Sequence, residues 1–430
     1  ETEVDVGPLL DQLIAGSAGP VGDDLDSGIE ALRDHLRRVV TAASPAAAFD
    51  GIVCFGGVDW WYHNRGHYDV QMMREASRQL PVLYVNSIGV KRHSTSEGRM
   101  FLARIWRKLK SVLRGKVRVR PLFHVFSPAS SAGLREREAG RRFTAAQVRK
   151  AARRAGIRRP LLWAAVPAVA DLLPHLSYER LVYQRTDRFE EFDPARRDEI
   201  ARMDRTLKEA ADVTLFASHY LLERESHACR GALFVDHGVD YERFRAAGET
   251  ADEPPDLAAV PRPRAGFVGG IDAHTFNAEL FVSVAKSLPD VSFVLVGGSS
   301  LPAGWCELPN VHHLGRKPYD EVPGYMAGCD VLIMPWNDNE WIRACNPVKL
   351  KEYLTVGRPV VSTYFPELDY YAGKVHVANE VDGFAKGISS TLGGRTAVAA
   401  SNEFRDHLWG DKFQIVARQF YDSAETAPPV

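Results

Sequence analysis

Short apolar runs that end in paired glycines restrict the fold of this chain more than any other feature. Gly51-Ile52-Val53-Cys54-Phe55 runs into Gly56-Gly57, Ala265-Gly266-Phe267-Val268 into Gly269-Gly270, and Leu295-Val296 into Gly297-Gly298. A strand that is apolar at nearly every position is buried on both faces, as in parallel sheets covered by helices. Further runs at 82–85, 161–165, 181–183 and 213–216 extend the series. Helical periodicity separates several of them, which predicts βαβ units.

The chain has 430 residues, against roughly 150 per domain, so two large α/β domains fit its length. Residues 246–264 lose the periodicity and hold Pro254, Pro255, Pro261 and Pro263, the composition of a linker. The alternation then restarts, with strands expected at 265–268, 292–296, 311–314, 331–334 and 359–362 and helices at 278–287, 321–328 and 348–356. The expected organisation is an extension over 1–48 with one helix at 29–40, a Rossmann-like domain over 49–245, the linker, a second Rossmann-like domain over 265–400, and a C-terminal segment over 401–430. In that last segment Phe404, Leu408, Phe413, Val416 and Phe420 can form one apolar helical stripe that crosses back to the first domain.

Hydrophobic residues make up 45% and charged residues 25%, the balance of a globular protein. No apolar run reaches the 18 or so residues of a spanning helix, and the first residues lack the pattern of a signal peptide, so the expected location is cytoplasmic. Five scattered cysteines without a C-x-x-C pair indicate neither a disulfide framework nor a metal site. The net charge of −1 hides an asymmetry: residues 91–159 carry 21 Lys and Arg against Glu97, Glu136 and Glu138. Such a face suits an anionic surface or acceptor better than nucleic acid. Within it, residues 99–114 interleave Trp106, Leu109 and Leu113 with Arg107, Lys108, Lys110 and Arg114. That pattern is a basic amphipathic helix, which either lies on anionic lipid at the inner face of a membrane or packs on the sheet with a solvated basic side.

Six further motifs follow one another over about 120 residues: Asp236-His237-Gly238-Val239-Asp240, Phe267-Val268-Gly269-Gly270, Leu295-Val296-Gly297-Gly298, the run 310–316 ending in Gly315-Arg316, the run 327–336, and Asn346-Pro347-Val348-Lys349-Leu350-Lys351-Glu352. In this order they resemble glycosyltransferases of the GT-B fold, in particular family 4 and related bacterial enzymes that build polysaccharides on lipid carriers. The resemblance implies two Rossmann-like, doubly wound domains facing a cleft. It also implies a nucleotide diphosphate-sugar donor as co-substrate, a hydroxyl acceptor (glycan, glycolipid or natural product), hexosyl transfer, and no metal or other cofactor. By that resemblance Glu352 holds the nucleotide ribose. Glycines at strand ends let a phosphate approach the backbone, which adds Gly269, Gly270, Gly297 and Gly315, with Arg316, to the donor side. Asn346 and Pro347 stand at a helix start, where Asn is a good cap and Pro loses no bond.

Two departures from the family pattern matter. The family's first Glu, eight positions before Glu352, is Ala344, and the basic residues usual after the first glycine turn are missing from 270–277. Lys349, about one turn before Glu352, and Arg343 are therefore the candidates to neutralise the leaving diphosphate. In the first domain Asp187 is the candidate base, with Arg185 and Arg188 to orient it or hold substrate, and Asp59 and His67 are alternatives. Gly56, Gly57, Trp60, Trp61 and Tyr62 form a loop whose aromatic faces suit an acceptor sugar. Two other readings stay open: a nucleotide-sugar epimerase of the same fold, and a degenerate subunit that docks to a membrane or partner.

Overall fold

The computed structural model describes residues 49–62, 66–86, 88, 99–130, 132–250, 253–393 and 402–421. The extension 1–48, with the helix expected at 29–40, lies outside them. Phe49–Val416 forms one compact unit. Residues 1–48 and 417–430 group apart from it, and of these only the end of the last helix is described.

The first sheet is built from β1 (Gly51–Phe55), β2 (Val82–Val85), β3 (Lys116–Arg120), β4 (Phe123–Phe126), β5 (Pro160–Ala164), β6 (Arg180–Arg185), β7 (Val213–Phe216) and β8 (Ala232–Phe234), in the order β3-β4-β2-β1-β5-β6-β7-β8. All pairs are parallel except β3 with β4. Its covering elements include α1 (Tyr68–Ala76), α2 (Arg99–Leu113), α3 (Glu138–Arg154), α4 (Arg197–Ala210) and α5 (His219–Glu225). The second sheet runs β11-β10-β9-β12-β13-β14 and is parallel throughout. Its strands are β9 (Arg264–Val268), β10 (Ser292–Val296), β11 (Val311–Gly315), β12 (Val331–Met334), β13 (Val360–Ser362) and β14 (His376–Val377). With it go α6 (Tyr241–Glu249), α7 (Ala278–Ser287), α8 (Val322–Ala327), α9 (Glu340–Arg343), α10 (Val348–Val356), α11 (Val381–Gly393) and α12 (Trp409–Tyr421).

In each sheet the chain runs outward on one side and then returns to the other, so the strand order reverses once, between β1 and β5 and between β9 and β12. Open parallel sheets bind ligands outside the carboxyl ends of the strands at such a reversal. Gly56-Gly57 after β1 and Gly269-Gly270 after β9 fall there.

The cores explain two differences from the sequence reading. Val239, Tyr241 and Phe244, expected with the first domain, are buried in the second domain's core. The stretch 246–264 is not extended linker throughout, because it holds the end of α6, a turn of helix at Pro255–Ala258, and Arg264, the first residue of β9. The C-terminal stripe breaks into a 3-10 turn at Asn402–Asp406 and α12. Trp409 at the start of α12 packs edge-on to Tyr68 of the first domain at 5.5 Å.

Candidate active site

At the β9/β12 reversal stands the ammonium of Lys349. Helix α10 carries it 4.6 Å from the ring centroid of Phe267 at the end of β9 and 5.4 Å from that of Trp336, just past β12. A Cβ on Gly269 would come within 2.2 Å of Nζ, so the glycine is what lets the lysine sit there. Ring faces attract a cation but do not replace its water. Among the described residues no carboxylate forms an ion pair with it. Burial holds its pKa down to about 8, against the opposing fields of Glu352, Asp272 and Cys345. A half-buried cation without a carboxylate partner among the described residues, at the ligand end of a parallel sheet, is suited to a phosphate.

Glu352 lies one turn further along α10 and is buried. Tyr319 donates its hydroxyl to Oε1 at 2.9 Å. Burial pushes the carboxyl up to about 7, and that hydrogen bond and Lys349 pull the other way. Oε2 has no hydrogen bond among the described residues, which leaves it able to accept from a ligand hydroxyl.

The strand-end glycines serve packing more than anion binding. Gly269 donates its N–H to Val296 O and Gly297 to Gly315 O, both at 2.9 Å. Gly297, at φ 155°, would place a Cβ 1.7 Å from Gly269 O. These two amides are spent on joining the strand ends, so a phosphate at Gly269 or Gly297 would meet backbone without gaining a donor from it. Gly270 and Arg316 are exposed at that rim, the Arg316 side chain lying over Gly298.

Asn346 does not cap α10. The cap position is Pro347, with no side-chain bond. Asn346 instead joins the domains, donating to Ala217 O at 2.8 Å and to Glu367 Oε1 at 3.0 Å. Glu367 in turn accepts from His219 N at 3.0 Å and pairs with its Nδ1 at 2.8 Å, at the start of α5. Arg343 is already paired, with Asp338 at 2.9 Å and Glu340 at 2.9 Å, so its charge is largely spoken for. Ala344 is fully buried against Phe216 and Leu221. A carboxylate there would be stranded in an apolar contact, which accounts for the departure from the family pattern.

Across the cleft, Asp187 follows β6. Cys345 Sγ, from the other domain, lies 4.0 Å from its Oδ1. Burial pushes Asp187 up to about 6, against a hydrogen bond from Thr186 and the field of Arg185. Arg185 neither orients Asp187 by a bond nor reaches substrate: it is fully buried among Glu190, Asp204 and Glu225, at 3.0 to 3.3 Å. Arg188 pairs with Glu190 and, from the other domain, Glu340.

The β1 loop is less open than its aromatic run suggested. Trp60 is a core residue, 5% exposed and packed on Tyr84 and Phe123. Gly56 is needed because a Cβ would meet the Tyr84 ring at 2.0 Å, and Gly57 N–H is satisfied by Asp69 at 2.7 Å. Trp61 and Tyr62 remain half-buried, with Arg114 over Trp61 at 4.6 Å. Asp59 accepts from Trp61 N at 2.9 Å and from Ser111 at 3.3 Å. His67 is exposed at the start of α1, and His63 to Arg65 lie outside the described residues.

One cluster escaped the sequence reading. Asp236 is buried between Lys351 of α10 and Lys412 of α12, which hold its carboxyl down to about 2 against the effect of burial. Lys351 lies on a helix flanked by Leu350, Tyr353 and Leu354, so its charge needs an acid partner if that face is buried, and that was the available signal.

Residues 262–393 match the family described as glycosyl transferases group 1. A Bacillus subtilis (strain 168) protein, TuaH, provisionally named as a teichuronic acid biosynthesis glycosyltransferase, is 29% identical over 222 residues, 48% of this chain and 55% of that one. The chain thus spans about half the length of the curated relative it matches. Similar solved structures include the sucrose-phosphate synthase of Thermosynechococcus elongatus, at TM-score 0.63 and 12% identity over 88% of this chain and 100% of that one. Anabaena HepE in complex with UDP-glucose is another, at TM-score 0.55 and 14% identity over 86% and 95%. At these identities the likeness shows the fold, and nothing in the comparisons favours an epimerase. Sheet topology and the solved structures show the GT-B fold, and within it residues 262–393 carry the match to glycosyl transferases group 1.

Proposed function

We propose that the chain moves a sugar, in the first instance a hexose, from a nucleotide diphosphate-sugar to an acceptor hydroxyl without a metal or other cofactor. The observation that carries this is the half-buried Lys349 ammonium beside Gly269, with no carboxylate ion pair among the described residues and the Glu352 carboxylate one turn away. Lys349 takes up the charge of the diphosphate as the anomeric bond breaks, and Glu352 accepts from the ribose hydroxyls. Asp187 removes the proton of the attacking hydroxyl. UDP and UDP-glucose, present in the HepE complexes, are the first donors to try. Consumption of a nucleotide sugar with transfer to an added acceptor tests the reading. Release of an isomerised sugar without acceptor, or no turnover of any donor, would contradict it.

The pH profile follows from three groups. Asp187 and Glu352 must be ionised and Lys349 protonated, and burial places them near 6, near 7 and near 8. kcat/KM is therefore expected to rise with pH up to about 7 and fall above about 8. In Glu352→Gln the acid limb should move down toward the value set by Asp187. An unmoved acid limb would remove Glu352 from the profile.

The first domain supplies the acceptor side and a membrane contact. Trp106 (61% exposed), Leu109 (46%) and Leu113 (75%) are left uncovered on α2 beside exposed Arg107 and Lys110, a surface fitted to anionic lipid. The protein should sediment with vesicles containing phosphatidylglycerol and not with neutral ones. Trp106→Ser with Leu113→Ser, or high salt, should release it. Equal binding to neutral vesicles, or none to either, would speak against this contact.

A further inference from the structure

The first domain holds a second polar pocket, of about 160 Å³, apart from the Lys349 crevice. Arg135, Arg141, Arg196 and Arg202 line it. They belong to the segments that follow β4 and β6, and the lining is completed from the segment after β5, so the pocket gathers residues that come after three parallel strands, of which β5 and β6 are neighbours. That is the side of a parallel sheet on which ligands bind.

Its charges do not cancel evenly. Arg196 pairs with Glu199 at 2.7 Å and Arg202 with Asp171 at 3.2 Å. Arg135 is 5% exposed and donates to Ser130 Oγ at 3.0 Å. Burial holds its guanidinium down to about 10, with Arg196 pressing the same way and Asp171 and Glu199 opposing. Arg141 Nε is buried without a hydrogen-bond partner. Its nearest carboxylate, Glu138, stands 3.5 Å away and is shared with Arg142 and His175. The positive field continues toward the β1 loop through Lys108 of α2, whose ammonium is held low chiefly by burial, with Asp59 opposing and Arg135 adding to the effect. Four guanidiniums against the three lining carboxylates Glu136, Asp171 and Glu199, with one buried N–H of Arg141 left without a hydrogen bond, fit an oxyanion, which would supply charge and acceptor atoms together.

We propose that this pocket receives an oxyanion carried by the acceptor, a sugar carboxylate or a phosphate, so that the acceptor is an acidic molecule. This rests on the reading of the first domain as the acceptor side, but the site can be tested without turnover. Inorganic phosphate and methyl glucuronide are titrated calorimetrically into the full chain, into Arg141→Gln, into Arg202→Gln as a surface-accessible second variant, and into Lys349→Met. Saturable binding of at least one probe is expected in the unaltered protein and in Lys349→Met, weakened about tenfold or more in both arginine variants. Phosphate alone binding identifies a phosphorylated acceptor, and the glucuronide alone an acidic sugar. No saturable binding of either probe overturns the proposal. Binding lost in Lys349→Met but kept in the arginine variants also overturns it, since that result places the anion in the donor crevice. If an anion binds here while no nucleotide sugar turns over, the transfer reading fails and the pocket stands.

Discussion

Replacing Lys349 with Met is expected to make the protein more stable and nearly inactive. The lysine stem is already packed against Phe267 and Trp336, and Met fills a similar volume with flexible apolar atoms. What disappears is a charge removed from water without a carboxylate partner. The sign follows from linkage. The ammonium titrates near 8 in the folded chain and near its ordinary 10.5 when unfolded, so between those values the unfolded chain binds more protons and stability rises with pH. Below about pH 8 the folded state carries the full penalty, on the order of 1–2 kcal/mol after allowing for partial solvent access. Lys349→Met should therefore melt higher than the unaltered protein at pH 7, with the difference shrinking toward pH 10. Turnover should fall by about 10²- to 10³-fold, the usual loss when a preorganised charge facing a leaving group is removed. Added nucleotide diphosphate should raise the melting temperature of the unaltered protein and much less that of the variant. A variant that is both destabilised and active would assign Lys349 to packing.

The pattern around Lys349 is local in sequence, and the contacts of its neighbours are not. Its spacing from Glu352 on one helix, and the glycine-ended strands on either side, are local patterns, and local patterns survive in a sequence. Helical and strand periodicity likewise placed most strands of the second sheet to within a residue. What failed depended on contacts distant in sequence. Asn346 looks like a helix cap until Ala217 and Glu367 are brought to it from 129 and 21 residues away. Trp60 shares an aromatic run with Trp61 and Tyr62, and only the packing of Tyr84 and Phe123 around it separates it from them. Arg185 and Arg188 are two turns of one motif in the sequence, yet the first is enclosed by three acids and the second reaches the other domain. The hairpin of β3 and β4 was hidden for a different reason: the alternation Lys116-Val117-Arg118-Val119-Arg120 is an edge-strand pattern, but it lies inside a charge run and was counted as charge.

The three candidate bases can be separated by the same geometry, and Asp187→Asn is the decisive substitution. Asp59 already accepts from the Trp61 amide and the Ser111 hydroxyl, so a proton taken from an acceptor would compete with bonds that fix the β1 loop. His67 lies exposed at the start of α1. Asp187 combines a half-buried position, a pKa raised to about 6 by desolvation, and a place beside Cys345 of the other domain. A carboxyl in that range is mostly ionised at neutral pH and a better base than an ordinary aspartate. Asp187→Asn keeps shape and hydrogen-bonding capacity but not basicity. Its kcat should drop about 10²- to 10⁴-fold while donor affinity stays within a few-fold, because the donor is held by the other domain. Asp59→Asn and His67→Gln should each lose far less. The variant should also melt no lower than the unaltered protein. Asp187 is raised above the ordinary 3.8, so the folded state binds more protons and loses stability as pH rises through that window, a cost that asparagine does not carry. Turnover retained in Asp187→Asn and lost in Asp59→Asn would move the base to the β1 loop. Loss of donor affinity along with turnover would instead show that Asp187 holds the donor, and the proton would then have to leave by another route.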